Sequence, residues 1–213
     1  LTTEDGFATL SVIPEAEPNQ YSVSIIFKGE LLNLYQNNPK LIQVVRSENS
    51  AAGAQILQMN GAGVFDNKVK EDTDYVYKII TYEKGIAEEV ETLRAHIPQD
   101  YVFSGEKVQQ HDMIMGETTY GRVFFKNGAK LITSGFGIKI FADQIISENG
   151  QIIGYSDEMK KQALSTQRNG ENGQFVEITA NSIVGQLQFD LDGMPGSYGI
   201  TGAPPTDSMR GSQ

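Results

Sequence analysis

The chain has 213 residues, 17 Lys+Arg against 27 Asp+Glu and a formal net charge of −10. Such an acidic surface without a basic cluster repels phosphate backbones and anionic membranes, so nucleic acid is excluded as a partner. Cysteine is absent and only His96 and His111 are present, which removes disulfides, thiol nucleophiles, iron–sulfur clusters and Cys-type zinc sites. No apolar run approaches the ~18 residues of a membrane-spanning helix, and no cofactor is expected. At roughly 100–150 residues per domain, the length allows one large or two small domains.

Strand-period runs dominate the first hundred residues. Phe7–Ile13 alternates and stops at Pro14; Tyr21, Val23, Ile25 and Phe27 share one strand face; Leu41–Val45 and Val76–Tyr82 repeat the pattern. Turn residues separate these runs (Glu-Pro-Asn-Gln, Asn-Asn-Pro, Gly-Ala-Gly). About seven strands up to Arg94 predict an antiparallel β-sandwich. Its core is expected on Val23, Ile25, Phe27, Val44, Tyr75, Tyr77 and Ile79. Leu31–Tyr35, inside a long connector, predicts a turn of helix.

Within Val69–Gly85, an apolar residue precedes Tyr75 by six positions, and the Tyr-x-Tyr strand runs on to Gly85. This segment resembles the E–F corner and strand F of a fibronectin type III domain, with Arg46 and Phe65-Asp66-Asn67 suited to its C and E strands. The resemblance covers roughly residues 5–97. It implies an immunoglobulin-like sandwich in which the Tyr75 hydroxyl returns to the backbone just upstream. The family's strand-B tryptophan is missing, so Ile26 or Phe27 must fill that volume.

His96-Ile-Pro98 closes this unit, and the texture then changes. Gly121–Gly135 reads as two short strands around Asn127-Gly128. Ile138, Ile140, Ala142, Asp143, Ile145 and Ser147 are matched in register, 38 positions later, by Val176, Ile178, Ala180, Asn181, Ile183 and Gly185. Such repetition with small corner residues is the pattern of a β-solenoid. The spacing is either two rungs of about 19 or one rung carrying an insertion. Ser156–Ser165, with acids before lysines, reads as that insertion, a short exposed helix. Residues 115–192 thus resemble right-handed parallel β-helix modules of bacterial surface and secreted proteins; a second sandwich is the alternative.

From Gly193, glycine occupies every third position for four triplets. Strict Gly-X-Y begins a collagen-like stalk and offers a route to homo-oligomers, whereas so short a stretch also reads as a flexible tail. The domains are therefore 1–98, 99–192 and a Gly/Pro-rich extension, 193–213.

No nucleophile elbow, phosphate loop or His-Glu-x-x-His occurs. Asp190 and Asp192 share one side of an extended strand and are the candidate cation ligands, though a solvated turn is the stronger reading, and the rest of a calcium loop is missing. Tyr101, Phe103, Tyr120 and Tyr155 are the candidate glycan-stacking residues. The expected function is non-catalytic: adhesion, spacing or surface structure in an extracellular, cell-surface or periplasmic protein, with a protein or glycan surface as partner. A carbohydrate-binding module is the alternative and a glycan-cleaving enzyme the third reading. The opening Leu-Thr-Thr-Glu-Asp-Gly suits a mature exported chain or a fragment of a longer one.

Overall fold

The computed structural model describes residues 6–48, 53–165 and 175–196. The described chain is mostly β-structure: two antiparallel sheets in the first half and one parallel sheet in the second.

The first half has eight strands: β1 (Ala8–Pro14), β2 (Tyr21–Phe27), β3 (Ile42–Glu48), β4 (Gln55–Leu57), β5 (Met59–Asn60), β6 (Gly63–Asp66), β7 (Thr73–Glu83) and β8 (Ile86–Ile97). One sheet has the order β1-β2-β6-β5 and the other β4-β3-β7-β8, with every pairing antiparallel. Alternation along each strand sends its apolar set to one face. Those sets meet in a single core containing all seven expected residues, none more than 1 % exposed. Phe27 points into this core whereas Ile26 is exposed, so the phenylalanine occupies the inward position on β2. Helix α1 (Gly29–Asn37) follows β2; its Leu31 is buried and the Tyr35 ring meets Phe27 edge-on at 5.7 Å.

Two polar features lock this unit. The Lys70 backbone N–H donates to the Tyr75 hydroxyl at 2.9 Å, the corner bond expected of that tyrosine, while Val69 packs on the core. The Arg46 guanidinium on β3 reaches the Asp66 carboxylate on β6 at 2.8 Å, and the Tyr77 hydroxyl donates to the same carboxylate at 3.1 Å. One buried aspartate therefore ties the two sheets across their core. At the β7–β8 turn, Lys84 and Gly85 both take positive φ (51° and 81°), the left-handed pair that matches the twist of a two-residue hairpin.

The second half has β9 (Tyr101–Val108), β10 (Met113–Ile132), β11 (Ile138–Ile153), helix α2 (Asp157–Ser165) and β12 (Val176–Asp190). The four strands lie side by side in chain order, all parallel. An antiparallel second sandwich is not what forms. Val123 pairs with Tyr101 and Ile145 with Val123, an offset of 22 residues each time, whereas Ile183 pairs with Ile145 at 38. The longer offset is therefore one repeat carrying an excursion that contains α2, not two repeats of 19. Ile138 pairs with Val176, Ile140 with Ile178, Ala142 with Ala180 and Ser147 with Gly185, in the register of the sequence match.

Asn127-Gly128 is not a hairpin. Both residues have positive φ (54° and 69°), but β10 continues through them and pairs with β9 and β11 on either side. The register shifts there, so the dipeptide bends one long strand and the two halves never meet. The long strands bend more than once: in β11 the buried–exposed alternation slips after Ala142 and again after Ser147. Phe103, Val123, Phe125, Leu131, Ile138, Ile140, Ile145 and Ile152 fill the buried face. The Gly-X-Y tail beyond Gly196 lies outside the described residues.

Candidate functional site

The most heavily hydrogen-bonded polar group lies where the two halves meet. Ile97 ends β8 and Tyr101 begins β9, so Asp100 sits at the hinge between sheets. Its carboxylate is fully buried and pairs with the Arg122 guanidinium at 2.7 Å; the Arg122 side chain is 6 % exposed. The Arg122 Nε donates to the same carboxylate at 3.1 Å, and the Arg122 backbone N–H donates to its other oxygen at 2.8 Å. The remaining guanidinium hydrogens reach back into the first half, to the Glu15 carbonyl and, at 3.0 Å, the Glu17 carbonyl.

Asp100 is likewise shared. The Tyr21 hydroxyl donates to it, and the Asn19 backbone N–H donates at 2.7 Å, while the Asp100 backbone N–H donates to the Asn19 side-chain oxygen at 2.7 Å. The guanidinium stacks over the Tyr21 ring at 4.9 Å and the Phe124 ring at 5.0 Å. Burial, together with the neighbouring carboxylate, pushes the Tyr21 hydroxyl far above its ordinary pKa, so it stays protonated and donates to Asp100. Burial opposes the Arg122 charge, and the hydrogen bonds and charge of Asp100 outweigh it, raising its pKa. A β-carbon at position 121 would lie 2.3 Å from the Tyr21 hydroxyl and 2.8 Å from Pro98, so glycine is required where β10 crosses the first half. Lys126 adds an outer ion pair to Glu17 at 3.3 Å.

Beside this joint is a cleft of about 730 Å3, walled by Leu10 and Val12 of β1, Arg94 and His96 of β8, and Asp143 and Ser182 of β11 and β12. His96 Nδ1 lies 2.9 Å from the Asp74 carboxylate, and the Gln144 side-chain amide donates to the Ser182 hydroxyl at 3.1 Å. The first half thus lines the cleft with apolar Leu10 and Val12 beside polar Arg94 and His96, and the second half adds a polar lip.

The four glycan-stacking candidates do not form an exposed platform. Phe103 and Tyr155 are each only 3 % exposed. Phe103 stacks on Phe125 at 4.7 Å within the buried face of the parallel sheet, and the Tyr155 hydroxyl sits where a β-carbon of Gly135 would be. Tyr101 and Tyr120 are half-buried, tilted by 53° with centroids 5.6 Å apart. Alternation explains Tyr101 and Phe103, which share parity on β9 and turn towards the apolar face, whereas Tyr155 follows β11 and is buried against Gly135. The cation candidates Asp190 and Asp192 are both exposed; Asp190 accepts from the Asp192 backbone N–H at 3.3 Å and lies 3.5 Å from the Lys160 ammonium. Among the described residues no three His, Asp or Glu side chains converge as metal ligands.

Sequence reasoning missed the joint. The available signal was a single arginine in Gly121-Arg-Val-Phe-Phe, with Phe124 sharing its parity on the face opposite the core. Comparison with known protein families, with curated proteins and with solved structures finds no match to this chain.

Proposed function

We propose that this is a non-catalytic modular protein of the extracellular space or cell envelope, built to hold surfaces at a fixed spacing or to adhere through them. The observation that carries the reading is the joint. Asp100 and Arg122 of the second half bond to each other and spend their remaining capacity on the first half, Asp100 on Asn19 and Tyr21 and Arg122 on the Glu15 and Glu17 carbonyls. A buried charge pair of this kind tolerates one geometry, because a change of angle would strand one partner in a dry environment. Modules that only flank a flexible linker do not need such a lock.

The strand orders β1-β2-β6-β5 and β4-β3-β7-β8, with the Tyr75 corner bond, support a fibronectin type III-like identity for the first module. The in-register parallel strands with bends at small or left-handed residues support a β-helix-like second module. Both module types are widely used as spacers on exported proteins.

Spin labels placed through cysteine substitutions at exposed Lys84 and Lys161 test the spacing, since the chain has no native cysteine. A single narrow distance distribution that broadens in Arg122→Ala is the expected result. A broad distribution in the unmodified joint overturns the spacer reading, and release of reducing ends from polysaccharides overturns the non-catalytic one.

A further inference from the structure

The parallel sheet has two edges of unequal character. The β9 edge is eight residues long, carries Glu106 and Lys107, and is kinked at Gly105 (φ 65°), devices that blunt an edge against pairing. The β12 edge is nearly twice as long, fifteen residues without proline or lysine, though it too bends at a left-handed glycine, Gly185 (φ 87°). Its two charges, Glu177 and Asp190, are held by lysines on the preceding elements, Lys139 at 2.7 Å and Lys160 at 3.5 Å. Between them run twelve uncharged residues. Along this edge Ile183, Val184 and Phe189 are each half exposed, although Ile145 and Ile152, the partners of Ile183 and Phe189 on β11, are wholly buried.

The edge also has a symmetry of its own. Read inward from both ends towards Ile183 and Val184, Val176 matches Leu191, Glu177 matches Asp190, Ile178 matches Phe189, Thr179 matches Gln188, Ala180 matches Leu187 and Asn181 matches Gln186. Apolar meets apolar, acid meets acid and polar meets polar. In both arms the apolar members are those packed against the core or aligned with buried residues of β11. Antiparallel partners on one sheet face must share parity, and an isologous contact requires that a surface match its own reverse.

We propose that β12 is a two-fold interface at which a second copy of this chain adds its own β12 antiparallel. The arms pair Ile178 with Phe189 and Ala180 with Leu187 of the other copy. The inward set of β12 passes from even positions (Val176, Ile178, Ala180) to odd ones (Leu187, Leu191), so both arms present their apolar residues to the same sheet face despite the odd spacing of the match. Fifteen residues at about 3.3 Å each, over a sheet depth of about 10 Å, present roughly 500 Å2 per copy before side chains interdigitate. The total reaches the ~1,000 Å2 of a specific interface. Glu177 of one copy lies opposite Asp190 of the other, a like-charge contact whose repulsion is offset by the lysine each acid already pairs with, Lys139 and Lys160.

The test is sedimentation equilibrium of the full chain up to about 100 μM, a range that captures micromolar association. The expected result is a mass reaching twice 23.4 kDa. Thr179→Lys with Gln188→Lys, both exposed in a single copy, places like charges opposite each other and should weaken association about a hundredfold without shifting the melting curve. In the otherwise cysteine-free chain, Thr179→Cys with Gln188→Cys should oxidise to a reducible covalent dimer. A monomer throughout the range, a mass that climbs past the dimer, or a dimer indifferent to both lysines overturns the proposal. So does a dimer lost on deleting residues 197–213.

Discussion

Replacing Arg122 with alanine should be among the most damaging single changes in the molecule, and the structure sets the scale. The substitution leaves the Asp100 carboxylate, wholly buried, with only the Tyr21 hydroxyl and the Asn19 and Arg122 backbone N–H groups. Removing one partner of a buried ion pair costs about 3–5 kcal/mol because the other charge stays uncompensated. The Glu15 and Glu17 carbonyls also lose their donors, but they lie near the surface where water can replace the guanidinium, so their loss adds little. Asp100→Asn should cost less, about 1–3 kcal/mol, since the amide oxygen still accepts and the positive charge of Arg122 lies nearer solvent. The double variant should fall well short of the sum, and that coupling identifies the pair as one unit. Urea unfolding followed by circular dichroism and by tyrosine fluorescence provides the measurement. The wild type should unfold in one coincident transition and Arg122→Ala in two, because the joint couples the halves. An Arg122→Ala variant within about 0.5 kcal/mol of wild type, with a single transition, would refute the reasoning.

Tyr75→Phe removes the acceptor for the Lys70 N–H and should cost about 0.5–1.5 kcal/mol; an unchanged melting curve would remove the corner bond from the account. Ile140→Ala should cost about 2–5 kcal/mol, whereas its register partner Ile178, half-buried on the edge strand, should cost clearly less in a monomer, as measured by chemical denaturation. Lys139→Ala, which gives up the exposed pair to Glu177 and an ammonium–ring contact with Phe175 at 5.6 Å, should stay within about 0.5 kcal/mol of wild type. Burial raises the pKa of Glu91 above its ordinary 4.5 against the opposing pull of the Phe7 and Ala8 backbone. Its stabilising share is therefore present below pH 4.5 and lost as pH rises through the folded value. Glu91→Gln should melt higher than wild type at pH 7 and converge with it in acid; the opposite trend in calorimetry would contradict the sign.

Much of the first half was legible because its signals are local. Tyr21, Val23, Ile25 and Phe27 alternate without interruption, and a seven-residue window holds both ends of the Tyr75 corner. The parallel sheet was legible in register, since Ile140 and Ile178 carry their identity at a fixed spacing. It was misleading at Asn127-Gly128, because two consecutive left-handed residues can close a hairpin or bend a continuing strand, and only the neighbours decide. Phe103 and Tyr155 were misplaced for a related reason: the buried face that claims an aromatic is assembled from strands more than twenty residues apart. The joint was the least visible. Asp100 bonds to Tyr21 and Arg122 to Glu15 across 79 and 107 residues, and no periodicity within either half announces a contact between them.

The excursion between β11 and β12 bears on how this chain can change. The connection from β10 to β11 spans residues 133–137, while that from β11 to β12 spans 154–175, yet the strands that flank the longer one pair along their length with a single one-residue shift. The alignment is fixed by strand against strand, so the length of the intervening chain is a free variable. Lengthening such a connection costs only about 0.6 kcal/mol per doubling. Since Tyr155 and Ala163 are buried, the natural port for foreign cargo is the chain between the end of α2 and the start of β12. An epitope, a binding peptide or a small enzyme spliced there would leave the neighbouring strands undisturbed, and relatives of this chain would be expected to diverge in length at that point before anywhere else in the second half.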